Sequence, residues 1–89
     1  MANYMIARHS VQDFSEFKMV YDAHEAIRAA AGLTEKHLLQ DAADPNTVTM
    51  IFEADDLKRA EEFSNSDDLR EAMQKAGVVG KPDMYFLND

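Results

Sequence analysis

Four short apolar runs and two helical segments alternate along the chain, and the runs are apolar on both faces. The runs cover residues 4–7, 33–39, 48–52 and 84–87. A strand with one wet face alternates apolar and polar residues. Here Met5-Ile6, Leu38-Leu39, Met50-Ile51-Phe52 and Tyr85-Phe86-Leu87 set apolar groups at neighbouring positions, hence on opposite faces. Two amphipathic helices cover only one face of such a sheet. The other needs its own cover, and a second copy of the chain is the simplest source, so a homodimer is expected.

The predicted order is β-α-β-β-α-β. The first strand covers residues 4–9. Asp13 is placed to cap a helix, with Glu16 completing a capping box. That helix runs to residue 31, and Gly32 suits the left-handed position that closes it. Residues 33–41 read as the second strand, Asp44-Pro45-Asn46 as a turn, and residues 47–54 as the third strand. Asp55-Asp56 open a short helix over 57–63, and Ser64-Asn65-Ser66 interrupt it. Ser66 caps a second piece, with Asp67 and Asp68 at its positive end, which stops at Gly77. Residues 78–82 read as a loop before the last strand, 83–87. Two βαβ-like halves joined by a hairpin form the split, ferredoxin-like α+β arrangement, a four-stranded antiparallel sheet. Right-handed crossovers place the first and third strands in the centre.

Composition narrows the functional classes. The chain has 89 residues, read as a single domain over 1–89. A chain this short buries only about 60–65% of its unfolded surface, which adds to the case for a dimer. The formal net charge is −8, with 9 basic residues scattered among 17 acidic ones, so nucleic acid is not an expected partner. No apolar run is long enough to span a bilayer, and the N-terminus lacks the pattern of a secretory signal. No membrane association is therefore expected, and a cytoplasmic location is. With no cysteine, thiol nucleophiles and thiolate metal sites are excluded.

The first helix carries the candidate chemistry. Projected as one straight helix, Phe17, Val20, Ile27 and Ala31 form an inward stripe with His24 near its middle. Tyr21 and Arg28 fall on one edge. A titratable imidazole is costly at such a position without a partner. Either His24 is a neutral core histidine bonded to a backbone carbonyl or to Tyr85, or it lines a small polar pocket with Tyr21 and Arg28. His24 is the candidate acid/base residue; Tyr21, Arg28, His37 and Tyr85 are the candidate ligand-binding residues. His9 shares a face with Met5 and Ala7, and His37 with Glu35 and Leu39; both read as surface or dimer-interface histidines. The three histidines have no metal-ligand spacing, so no metal site is expected.

Several stretches resemble a known family. They are residues 11–18 with Tyr21, Asp22, Ala23, His24 and Arg28, then Asp44-Pro45-Asn46-Thr47-Val48-Thr49, residues 66–80, and Met84-Tyr85-Phe86-Leu87. Together they resemble the small dimeric α/β-barrel proteins, the superfamily that holds antibiotic biosynthesis monooxygenases and many short bacterial proteins labelled cyclase-like or uncharacterised. The match is better to the uncharacterised branch than to any branch with a known reaction. The resemblance implies a ferredoxin-like monomer, a dimer whose sheets meet as a barrel, and a pocket between helices and sheet. It implies a small aromatic or polyketide-like ligand and chemistry without a tightly bound cofactor. Haem-degrading relatives use an Asn, a Trp and a His, and this chain has no Trp. The same fold also suits a non-catalytic small-molecule-binding protein or a purely structural dimer.

Overall fold

In a computed structural model, which describes residues 2–89, the elements follow in the order β1 (Asn3–Val11), α1 (Phe14–Ala23), α2 (Glu25–Ala30), β2 (Leu33–Gln40), β3 (Thr47–Ala54), α3 (Leu57–Ser64), α4 (Asp67–Lys75) and β4 (Val78–Asn88). The sheet is antiparallel, in the order β2-β3-β1-β4. The two central strands are the expected ones. The helices lie on one face.

Local chemistry starts and stops the elements. Asp13 accepts the Glu16 amide, Asp56 that of Lys58, and Ser66 that of Leu69, each satisfying a donor that a helix start leaves free. Gly32 and Gly77 take φ of 81° and 77°, the left-handed value that ends a helix with least strain at glycine. In the hairpin the Thr47 amide donates to the Asp44 carbonyl. The Asn46 side chain accepts the Phe14 amide, joining the turn to the start of α1.

The covered face is built by strict alternation. Met5, Ala7, His9 and Val11 of β1 interleave with Val48, Met50, Phe52 and Ala54 of β3, all buried. Phe17 and Tyr21 of α1 and Ala60 of α3 close over them. The uncovered face carries Tyr4 and Leu87 in one cross-strand row and Tyr85, Ile6 and Ile51 in the next.

Three expectations are corrected. The first helix is not continuous: it breaks at His24, whose amide bonds back to the Tyr21 carbonyl in a tighter turn before α2 begins. The last strand begins at Val78 rather than at residue 83, because residues 78–82 continue pairing with β1 across a bulge. The first strand likewise extends past His9 to Val11. Turn-forming Gly80 and Pro82 made this stretch read as a loop. A bulge accommodates both, since it needs neither an unbroken ladder nor every N–H.

Candidate functional site

A cavity of about 330 Å3 lies between the sheet and the helices. Small residues leave the space: Ala7 on the sheet side, Ala72 on α4 and Ala76 at its C-terminal end. Most of the lining is apolar, with Met5, Met50, Met84, Phe52 and Phe63 among the larger side chains. Methionines suit such a wall, because their unbranched chains adapt to irregular contours. A concave, mostly apolar space with a few polar groups is what small-molecule sites look like, and this volume lies near the lower end of their range.

His9 is the deepest polar group. Strand alternation turns it inward with Met5, Ala7 and Val11, and it is 7% exposed. Its ring stands edge-on to Phe17, with centroids 5.4 Å apart. Neither ring nitrogen has a hydrogen-bond partner. Burial disfavours the imidazolium and lowers its pKa from 6.5 to about 4, so the ring is neutral at physiological pH. Residues 80–82 of β4 bulge opposite this one residue, since Arg8 pairs with Asp83 and Ser10 with Val79. Bulges of this kind concentrate beside sites that need a side chain aimed.

The helix supplies the rest. Phe17 and Tyr21 stack at 5.6 Å, and the Arg28 guanidinium lies 3.7 Å from the centroid of the Tyr21 ring. Arg28 also donates a 2.6 Å hydrogen bond to the Tyr21 carbonyl, an acceptor near the α1 break. The Tyr21 hydroxyl donates to Glu35 at 2.6 Å. Burial, followed by that hydrogen bond, raises the Tyr21 pKa, and the nearby Arg28 charge partly opposes the rise. His24 lines the cavity with its Nδ1 2.8 Å from the Val20 carbonyl. A carbonyl oxygen only accepts, so Nδ1 carries the proton; in the neutral ring Nε2 is then an acceptor.

The sequence-derived site is thus brought together in part. Tyr21, His24 and Arg28 share the cavity, but the inward stripe is rotated from its projected position. Tyr21 and Arg28 are buried, His24 is half-buried, and Ile27, projected inward, is 45% exposed. The helix break and the stacking of Phe17 and Tyr21 set this orientation. His37 and Tyr85 lie elsewhere. A bulge at Lys36 shifts the β2 register, so Glu35 pairs with Phe52 on the covered face while His37 pairs with Ile51 on the open one. Tyr85 pairs with Ile6 and is 50% exposed on that same open face. His9, read as a surface or interface histidine, is instead the buried one. Its shared parity with Met5 and Ala7 was the signal for it.

No protein-family model matches the chain, and no curated protein matches it in sequence. Solved structures do match in fold. A candidate antibiotic biosynthesis monooxygenase from Bordetella bronchiseptica superposes with a TM-score of 0.79 at 17% identity, covering 99% of this chain and 96% of that one. Another, from Caulobacter crescentus, gives 0.74 at 16%, covering 99% and 89%. SnoaB of Streptomyces nogalater, a cofactor-independent oxygenase, gives 0.72 at 15%, covering 99% and 94%. The chain therefore has the ferredoxin-like α+β fold of the antibiotic biosynthesis monooxygenase-like proteins.

Proposed function

We propose that this protein is a cofactor-independent, monooxygenase-like enzyme that oxidises a small aromatic or polyketide-like molecule in the cavity between helices and sheet. The observation that carries the reading is His24: a half-buried imidazole on the wall of an apolar cavity that also holds Arg28, its Nδ1 held by the Val20 carbonyl and its Nε2 left as an acceptor. The fold shared with a cofactor-independent oxygenase supports the same reading.

In this scheme an electron-rich phenol with an acidic CH2 group gives a C–H proton to the Nε2 of His24. The carbanion formed is resonance-stabilised, and its positive counter-charge is the new imidazolium. The carbanion bonds one oxygen of dioxygen, and the imidazolium returns its proton to the terminal oxygen, giving a hydroperoxide. Loss of the second C–H proton breaks the O–O bond and leaves a ketone and water. The CH2 group and dioxygen are thereby converted to C=O and H2O. Arg28 steadies the negative oxygen of the bound phenolate or enolate. Tyr21 acts through its ring, because its hydroxyl proton is already given to Glu35.

The working unit in this proposal is a homodimer joined through the open sheet faces, where Tyr85 and Leu87 are half exposed. Oxygen uptake with dithranol as probe tests the reaction. Wild type is expected to consume oxygen above the uncatalysed rate, and His24→Gln, which keeps an N–H donor and removes the basic nitrogen, is expected to lose at least nine-tenths of that excess. Uptake equal in the two proteins would remove His24 from the reaction. No excess uptake with this or related hydroxyarenes would favour a binding protein over an enzyme.

A further inference from the structure

The cavity holds one buried charge that no ion pair answers among the described residues. Arg28 is 9% exposed, and among the described residues its guanidinium makes no ion pair. Its hydrogen bond goes to a backbone carbonyl and one face lies on the Tyr21 ring. These contacts orient the group without neutralising it. A guanidinium has five N–H donors in a flat fork, and none of its nitrogens is sealed away without a partner. The uncommitted donors therefore meet accessible space, and Arg28 lines the cavity. Asp68 and Glu71 also border that cavity, but both are exposed, where water and salt screen them.

The polar groups are set apart by aromatic surface. From His9 to Phe17 the centroids step 5.4 Å, and from Phe17 to Tyr21 a further 5.6 Å, with Arg28 over the last ring. We infer that this cavity selects an aromatic carboxylic acid, its carboxylate on the Arg28 fork and its ring along Phe17 and Tyr21. The inference rests on the proposal that this cavity is the ligand site. It goes further in naming the acid group as the recognised feature. A carboxylate presents two coplanar oxygens that match the fork in a paired hydrogen bond. It is also charged at neutral pH, whereas a simple phenol, with a pKa near 10, is not. A buried cation that no protein carboxylate pairs directly has most to gain from such a ligand.

Two fluorescent probes, 3-hydroxy-2-naphthoate and 2-naphthol, compare one ring system with and without the acid. Titrated without oxygen near neutral pH, the acid is expected to bind about tenfold tighter or more. Arg28→Gln is expected to erase that preference, weakening the acid at least tenfold more than 2-naphthol. Because Arg28 also holds the α1 break, circular dichroism must show the variant folded. If it is not, Arg28→Lys keeps the charge, loses the fork, and should reduce the preference several-fold. Failure of the acid to bind, equal binding of the two probes, or a preference that survives the Arg28 substitution overturns the inference. The titration does not depend on turnover. An Arg28-dependent acid preference with no oxygen uptake by any probe would sink the oxygenase reading and leave the anion site standing. Uptake with dithranol but no acid preference would do the reverse.

Discussion

His9 ties the site to the stability of the fold through its proton. Folded, its pKa is about 4; the ordinary value, which the unfolded chain approaches, is 6.5. The unfolded state therefore binds more protons between those values, and stability falls as pH drops through that window. Above pH 6.5 the contribution is fully present, and below 4 it is gone, a difference of at most about 3 kcal/mol. Urea midpoints measured from pH 7 to 4 should fall more steeply for wild type than for His9→Phe, and identical slopes would contradict the buried neutral ring. Gly32 offers a second residue-scale test. Its φ is 81°, and an added Cβ would lie 3.2 Å from the Asp55 Cβ. Gly32→Ala should lower stability by about 1 kcal/mol or more from backbone strain alone, and an unchanged midpoint would argue against this helix end.

At the scale of elements, the caps and breaks place the cavity walls. Ser66 accepts the Leu69 amide and donates its hydroxyl to the Phe63 carbonyl at 2.8 Å, so one residue closes α3 and opens α4. Ser66→Ala should lower stability by about 1 kcal/mol in thermal or chemical denaturation, and it should weaken probe binding, since Phe63 and Leu69 both line the cavity. A loss of stability with binding intact would separate the cap from the site. These caps were legible because a Ser or Asp before a helix acts within three residues. The break at His24 was not, because residues 14–31 contain no proline or internal glycine to mark it. The tighter turn there lets Phe17, Tyr21 and Arg28 all face inward, an arrangement selected by the sheet beneath them. The bulge at Lys36 was equally silent, and it moved His37 to the opposite face from Glu35.

At the scale of the whole molecule, the open face is the feature to test. Ile6, Ile51, Tyr85, Leu87 and Tyr4 form adjoining rows, while Arg8 and Asp41 at the side are 3.8 Å apart. Apolar surface of this kind marks an interface, and a stable one buries about 800 Å2 or more from each partner. Sedimentation at micromolar concentration should give twice 10.1 kDa. Tyr85→Glu, on a half-exposed side chain, should shift the species toward 10.1 kDa without unfolding it. A wild-type monomer would leave this face without its expected cover.

The amino-acid order by itself determined the sequence of elements, the two central strands, most of their boundaries and the helix ends, because turns, caps and alternation act between near neighbours. Alternation in β1 even carried His9 to the inner face beside Met5 and Ala7. What turned that position from a surface histidine into a buried one beside the candidate site was how far β1 runs past it and what covers it. Extension to Val11 and the packing of Phe17 seal the ring from water. Likewise Tyr21 and Arg28, edge residues on a straight projection, became cavity residues only once the helix broke and settled on Phe52 and its neighbours. A rotation of a helix about its axis changes no local pattern in the chain. It is chosen by which packing of side chains on the sheet is densest, and that choice exists only in the folded molecule.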